Sequence, residues 1–238
     1  MALVATGAVV TAAPVVVGLH GVAPRIAPRL AGRGRRDHVA LTFDDGPDDE
    51  STPAVLAALH DLGVTATFFW LADEVRAHPE AAAAVIAAGH EVGVHGVRHR
   101  SHLERPPWRV LADVADATAV VRAETGVAPL WLRPPYGVVT PATLVAARRS
   151  HLRVVLWTAW GRDWRPAATS SSVAADVARH LEGGATVLLH DSDVTSAPGS
   201  WRATVGALPA IVGRARDLGL AVGPLRDHDV LGAAGSPI

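Results

Sequence analysis

Four clusters carry residue types that do chemistry, at spacings that let them act together. The first is Thr42-Phe43-Asp44-Asp45-Gly46-Pro47. Two adjacent carboxylates repel each other and are costly to bury unpaired. A metal ion that neutralises one of them resolves the conflict, although Asp-Gly-Pro is by itself also good turn chemistry. The second is Glu91-Val92-Gly93-Val94-His95-Gly96-Val97-Arg98-His99. Two His four apart face one side on a single helical turn and both reach one ion. Two His plus one Asp form a three-ligand set with positions left open for water, as a catalytic metal needs; His102 is left outside it. The third is Arg133-Pro134-Pro135-Tyr136-Gly137, whose paired prolines stiffen the chain and can fix Arg133 and the backbone amide of Tyr136. The fourth comes in two pieces, Asp163-Trp164 and Leu188-Leu189-His190-Asp191. His190 ends an apolar run, as an imidazole at the mouth of a barrel would. In isolation, a core His bonded to backbone is the stronger reading.

The elements that must position these clusters alternate between strand-like and helix-like. The pattern predicts strands at 38–43, 65–70, 91–95, 130–133, 152–157, 185–189 and 220–222. It predicts helices at 52–62, 79–88, 108–125, 141–150, 172–181 and 201–218. Ser51 or Thr52 is the expected cap of the first helix, with Pro53 in its first turn, and Gly89 and Gly126 are expected stops. Such alternation favours a parallel sheet covered by helices. Each chemical cluster falls just after a strand, which in a closed barrel is the C-terminal face where active sites form. No repeat and no linker divides residues 37–238.

Composition narrows the classes further. An apolar share of 49% in 238 residues supplies a full core, and a net charge of -1 gives no electrostatic footprint for nucleic acid. Every basic residue is Arg, and with the abundance of Ala, Gly and Val this reads as codon bias. Cys is absent, so the redox compartment is open. Residues 1–36 are set apart as an apolar leader or membrane anchor followed by a basic linker. The stretch 2–24 has the length of a signal core or anchor, but Gly7, Pro14, Gly18 and His20 weaken it as a spanning helix. Arg25, Arg29, Arg33, Arg35 and Arg36 follow it, a flank that the positive-inside rule places in the cytoplasm.

Together the ordered motifs TFDDGP, HGVRH, RPPYG, DW and LLHD resemble the polysaccharide deacetylase family, the NodB-like carbohydrate esterases of family four. The resemblance spans about residues 37 to 223. It implies an α/β fold, a distorted barrel of the (β/α)7 type. It also implies a metal-dependent hydrolase that removes N-acetyl groups from N-acetylglucosamine-type sugars of a polysaccharide such as peptidoglycan or a chitin-like chain. Carried over by motif, Asp45, His95 and His99 match the metal triad, and Asp44 matches the general base. Arg133 matches the residue that holds the base, and Tyr136 the one whose backbone amide helps bind the oxyanion. His190 matches the general acid and Asp163 its carboxylate partner, while Trp164 and Leu188 match the apolar pocket for the acetyl methyl. Mixed nitrogen and oxygen ligands with open positions suit one zinc ion, with cobalt or nickel as substitutes. The sequence departs from the family at Gly96, where Ser or Thr usually follows the first metal His. That hydroxyl supports the loop, so its loss bears on loop rigidity and metal affinity rather than on ligation. The other readings are an O-acetyl (xylan-type) esterase, a lipid-linked sugar deformylase, and a glycan-binding relative without activity. The expected partner is a polysaccharide or oligosaccharide, with no nucleic acid. The chain is expected to be a monomer, secreted or in the cell envelope, and membrane-associated through its N-terminal segment.

Overall fold

The segment HVALTFD is buried at every position, as a strand must be when both of its faces are covered. It forms β1 (His38–Asp44), the centre of the sheet, in a computed structural model that describes residues 27–230. After it come α1 (Ser51–Leu62), β2 (Thr67–Leu71), α2 (Ala72–Ala77), α3 (Pro79–Ala87), β3 (Glu91–Gly96), α4 (Pro107–Thr125), β4 (Trp131–Leu132) and α5 (Pro141–Arg149). The chain then runs through β5 (Arg153–Val154), β6 (Ala159–Trp160), α6 (Ser170–Ala178), β7 (Thr186–His190), α7 (Trp201–Asp217) and β8 (Ala221–Gly223). The strands pair in parallel in the order β5-β4-β3-β2-β1-β7-β6, and β8 also pairs with β1. Among the described residues no ladder joins β5 to β6, so the sheet is a half-barrel with flanking helices, the distorted (β/α) barrel that was expected.

Alternation along the strands sorts the core into two parts. Leu41, Phe43, Phe68, Trp70, Val187 and Leu189 point outward and pack under the helices. Ala40, Phe69, Trp131 and Val155 fill the inside with Leu225 and Val230. Thr42, Asp44, Arg133 and His190 share the inward parity, higher up the barrel.

Several local expectations shift. Asp48, not Ser51 or Thr52, caps α1: its Oδ1 accepts from the amides of Glu50 (2.9 Å) and Ser51 (2.7 Å). That frees Thr52 Oγ1 to donate to Asp191 Oδ2 at 2.8 Å. The strand expected at 152–157 is two short pieces, β5 and β6. The short α2 lies where no helix was expected. Residues 27–36, assigned above to a basic linker, lie against the barrel. Leu30 O accepts from the Leu156 amide (2.8 Å), Gly32 O accepts from Thr186 Oγ1 (2.6 Å), and Gly34 donates to Gly184 O (3.1 Å). The apolar stretch 2–24 lies outside the described residues, and among the described residues no helix is long and apolar enough to cross a membrane.

Four imidazoles outside the site are buried in the frame. His90 Nδ1 accepts from the Ala66 amide (3.0 Å), His102 Nδ1 meets Thr143 Oγ1 (2.9 Å), and the Nδ1 atoms of His228 and His38 are 2.8 Å apart. Burial pushes each of the first three down to about 4 from an ordinary value of 6.5. A depressed group binds its proton only in the unfolded chain, so its stabilising share is present above pH 6.5 and is lost as pH falls toward 4. The thermal midpoint is therefore expected to drop between pH 7 and pH 4.5. For His90 alone the loss reaches about 3 kcal/mol once pH is below both values. Asparagine at position 90 retains an acceptor for Ala66 and cannot titrate, so His90→Asn should show a smaller acid-induced drop. An equal drop in the two proteins would disprove the linkage.

Candidate active site

The candidate residues named from the sequence, apart from Leu188 within β7, lie at or just beyond the C-terminal end of a strand. Asp44 and Asp45 end β1, His95 lies on β3, Arg133 follows β4 and His190 ends β7. Two adjacent residues of a strand face opposite ways, yet both carboxylates reach one cleft. The backbone makes this so: Asp45 has φ 81°, in the left-handed region, which turns the second carboxylate back. Gly46 follows because nothing larger fits, since a Cβ there would come within 2.1 Å of Asp191 Oδ2.

Asp44 is buried and paired. Arg133 Nη1 donates to its Oδ1 at 2.7 Å and to Thr42 Oγ1 at 2.8 Å, and Nη2 donates to Leu156 O at 3.0 Å. The guanidinium lies over the Phe69 ring, 4.1 Å from its centroid. Burial raises the Asp44 carboxyl above the usual range, and the Arg133 charge works against that rise.

Asp45 is different. Its Oδ1 is buried without a hydrogen-bond partner and lies 3.4 Å from His95 Nε2 and 3.8 Å from His99 Nε2. One ligand atom from each of the three residues lies within 4.8 Å of the others. His95 Nδ1 donates to Arg133 O at 2.6 Å, which fixes the tautomer and leaves Nε2 for a ligand bond. Burial pushes His95 down to about 3 and lowers His99 too, so both imidazoles are neutral. An orphaned carboxylate oxygen between two neutral imidazole nitrogens fits a divalent cation.

The two His do not share a helical turn, as their spacing had suggested. His95 belongs to β3 and His99 to the turn after it. Gly96, at φ 110°, bends the chain so that both rings converge, with centroids 5.2 Å apart. Nor does the missing hydroxyl at Gly96 leave this turn unsupported. A Cβ there would come 3.0 Å from Asp113 Oδ2, and that oxygen accepts from the Val97 amide at 3.2 Å. Asp113 Oδ1 pairs with Arg105 at 2.6 Å. A carboxylate from α4 thus occupies the side of the turn that the family hydroxyl would support.

His190 faces the triad from β7, its Nε2 3.9 Å from Asp45 Oδ2. Asp163 Oδ1 meets its Nδ1 at 2.9 Å, Asp163 Oδ2 accepts from its amide at 2.8 Å, and Thr204 Oγ1 donates to Oδ2 at 2.7 Å. Burial alone would push this imidazole down. The Asp163 charge and hydrogen bond, with Asp45 and Asp44 behind them, outweigh burial and push it up to about 10. Trp164 sets its ring edge-on to His190, with centroids 5.6 Å apart. Leu188 lies two residues before His190 on the same inward face. Tyr136, at φ 60° after the paired prolines, is exposed and packs edge-on to His99 with centroids 4.3 Å apart. His102 stays outside the triad, on Thr143.

Sequence reasoning passed over Thr42, Thr204, Asp113 and Asp191. Thr42 had a local signal, since it shares the face of Asp44 two residues away. Asp191 follows His190 directly, and its Oδ1 accepts from the Gly46 amide at 3.2 Å. Beside His99 a cavity of 420 Å³ is lined by Arg100, Ser101, Glu104, Arg105 and Tyr136. A larger one of 530 Å³, lined in part by His38, His60 and His90, opens at the N-terminal ends of the strands and holds none of the cluster.

The polysaccharide deacetylase profile matches residues 31–155. A chitooligosaccharide deacetylase of Bradyrhizobium sp. (strain ANU 289) is 35% identical over 185 residues, 73% of this chain and 84% of that protein. The peptidoglycan-N-acetylglucosamine deacetylase PgdA of Listeria monocytogenes is 33% identical over 170 residues, 71% of this chain but only 36% of that longer protein. Among solved structures, the Bc1960 peptidoglycan N-acetylglucosamine deacetylase superposes with TM-score 0.76 at 26% identity, covering 83% of this chain and 91% of that one. A family 4 carbohydrate esterase from Streptomyces lividans gives TM-score 0.70 at 27% identity, covering 79% and 93%. The chain belongs to the polysaccharide deacetylase family of hydrolases, on the fold that the sequence motifs implied.

Arg133 is fully buried and neutralises a buried carboxylate. Removing one partner of such a pair costs about 3–5 kcal/mol, because the other charge is stranded. Arg133→Met should destabilise by about that much in denaturant unfolding. Adding Asp44→Leu should recover part of the loss, and a double variant no more stable than Arg133→Met would contradict the pairing argument.

Proposed function

We propose that this protein hydrolyses the acetamide of N-acetylglucosamine-type residues in a glycan polymer, with peptidoglycan the favoured substrate, and does so with one divalent ion, zinc first. The observation that carries the reading is the unsatisfied Asp45 Oδ1 set between His95 and His99, with an Arg-held carboxylate on one side and a cationic imidazole on the other. The Bradyrhizobium, Listeria and Bc1960 relatives, named for deacetylation of chitooligosaccharide or of peptidoglycan N-acetylglucosamine, support the substrate class. Fold alone would not support activity, because a pseudoenzyme of carbohydrate esterase family four from Bacillus anthracis has the same architecture. This chain has an acid, a base and a full ligand set. The location in keeping with that substrate is the cell envelope or the outside of the cell.

An amide is a poor electrophile with a poor leaving group. Asp45, His95 and His99 would hold a divalent cation, which when bound would supply Lewis-acid polarisation of the carbonyl and acidify water. Asp44 takes the proton from the attacking water. Arg133 holds its Oδ1, Thr42 in turn holds Arg133, and burial raises its basicity. The Tyr136 amide, set by the proline pair, donates to the developing oxyanion. His190, kept cationic by Asp163, gives its proton to the departing amine, and Thr204 locks Asp163 in place. Trp164 and Leu188 receive the acetyl methyl. The cavity at Tyr136 and Arg100 gives room for a neighbouring sugar.

Acetate release from acetylated chitooligosaccharides, peptidoglycan and acetylxylan, with and without added zinc, tests the reading. Release from the first two only, and abolished by chelation, is the expected result. Release from acetylxylan alone would make the enzyme an O-acetyl esterase, and metal-independent release would end the proposal.

Two sets of variants separate the roles. Asp44→Asn should keep the metal and lose about 10²–10⁴ in turnover, the usual worth of a general base, whereas His99→Ala should lose the metal first. The reverse pattern would exchange their assignments. For the acid, the sign follows from the raised pKa. The imidazolium is present below that pKa and is lost as pH rises through it. Asp163→Asn removes the supporting charge, so the alkaline limb of the pH–rate profile should move to lower pH. His190→Ala should damage amide hydrolysis more than hydrolysis of an activated aryl acetate, whose alcohol leaves without help. An unmoved limb with equal losses on both substrates would mean that another group donates the proton.

A further inference from the structure

The loop after β7, Asp191-Ser192-Asp193-Val194-Thr195-Ser196-Ala197-Pro198-Gly199-Ser200, takes no part in the chemistry described so far. It is held by its own side chains. Ser192 Oγ accepts from the Val194 amide at 3.2 Å, and the Asp193 carboxylate accepts from the Gly199 amide. The Ala197 amide donates to Trp164 O at 3.1 Å, tying the loop to the chain beside Asp163. Held this way, the loop reaches back across the barrel mouth, and the Thr195 hydroxyl donates to Asp45 Oδ2. The two residues are 150 apart in sequence.

The two oxygens of Asp45 then have separate surroundings. Oδ2 is taken by Thr195 and has His190 Nε2 at 3.9 Å. Oδ1 has no hydrogen bond and faces both imidazole nitrogens of the triad. A carboxylate is free to turn about its Cβ–Cγ bond, and an untied Asp45 could swing toward His190 Nε2, 3.9 Å from its Oδ2. That contact would turn Oδ1 off the two His and engage His190 Nε2 as well. A hydroxyl anchored in the opposite loop prevents the swing without adding charge.

We propose that Thr195 is a positioning residue for the metal. By holding Asp45 Oδ2 it keeps Oδ1 aimed at His95 and His99, so that the carboxylate binds a cation through one oxygen. This rests on the reading of Asp45, His95 and His99 as the ligand set. Groups that hydrogen-bond to a ligating carboxylate are typically worth about 10–100-fold in metal affinity. Thr195 is at the surface, so replacing it empties no core.

The test is zinc affinity, measured by titrating chelator-stripped protein with zinc(II) against a chromogenic chelator. Thr195→Val, Thr195→Ser and His99→Ala are compared with the parent, together with the thermal midpoints of the metal-free proteins. Thr195→Val keeps the shape and removes the donor, so it should raise the zinc Kd about tenfold or more at an unchanged metal-free midpoint. Thr195→Ser keeps the donor and should stay within about threefold of the parent. An unchanged Kd in Thr195→Val while His99→Ala loses zinc would overturn the role of Thr195 and leave the ligand set standing. Equal weakening in the Val and Ser variants would overturn it too, since the methyl and not the hydroxyl would then matter. A fallen metal-free midpoint in Thr195→Val would likewise replace positioning by general stability. Parent-like zinc binding by His99→Ala would overturn the ligand set itself.

Discussion

Two carboxylates buried side by side at the end of β1 set the terms for everything around them. Neither can stay ionised in a dry interior without a positive partner. Asp44 has one inside the protein, the fully buried Arg133, which also bonds Thr42 and a backbone carbonyl. Asp45 has no internal cation within hydrogen-bonding reach of its Oδ1, only two imidazoles held neutral by burial. The pair is thus asymmetric by construction. One carboxylate is neutralised from within, and the other is the one proposed above to take a cation from outside. Because Asp45 adopts φ 81°, the two charges enter one cleft rather than opposite faces of the sheet.

The same side chain does opposite work a few ångströms apart. His95 and His99 lie in buried surroundings that favour the neutral ring, and the backbone carbonyl of Arg133 fixes His95 in the ligating tautomer. His190 is just as enclosed, but Asp163 stands against its Nδ1, and Asp163 is itself held by Thr204. Separating the pKa values of like groups by their neighbours is how one site holds a ligand and an acid at one pH. A cation held at Asp45 would offset part of the negative charge that His190 senses from that carboxylate. Asp163 is therefore the partner that must carry the imidazolium in the loaded enzyme.

The motifs were legible because each sits within a few residues at the end of one strand, where apolar periodicity locates the strand and polar residues mark its end. The alternation of strands and helices likewise gave the barrel. What the sequence hid are contacts between distant segments. Thr195 and Asp45, Asp113 and the Val97 amide, Thr204 and Asp163 meet only once the chain is wound, and Ser, Thr and Asp in loops look alike before that. The His95–His99 spacing was misread as a helical turn because spacing is blind to backbone, and a glycine at positive φ brings two rings together just as well. β5 and β6 are two residues each, too short for any period to show, and α1 took Asp48 as its cap because Thr52 was needed at Asp191.

Register is what finally joins Asp44 to His190, the proposed base to the proposed acid. In the parallel ladder between β1 and β7, Thr42 pairs with Leu188 and Asp44 with His190. The inward faces of the two strands therefore set Asp44 beside His190 and, two residues below, Thr42 beside Leu188. A slip of one residue would turn His190 out under the helices and bring Leu189 in. That slip is opposed by residues with no chemistry, since Leu41, Phe43, Val187 and Leu189 would all leave the apolar layer together. The outward-facing core thus fixes the separation of Asp44 and His190 on the opposite face of the sheet.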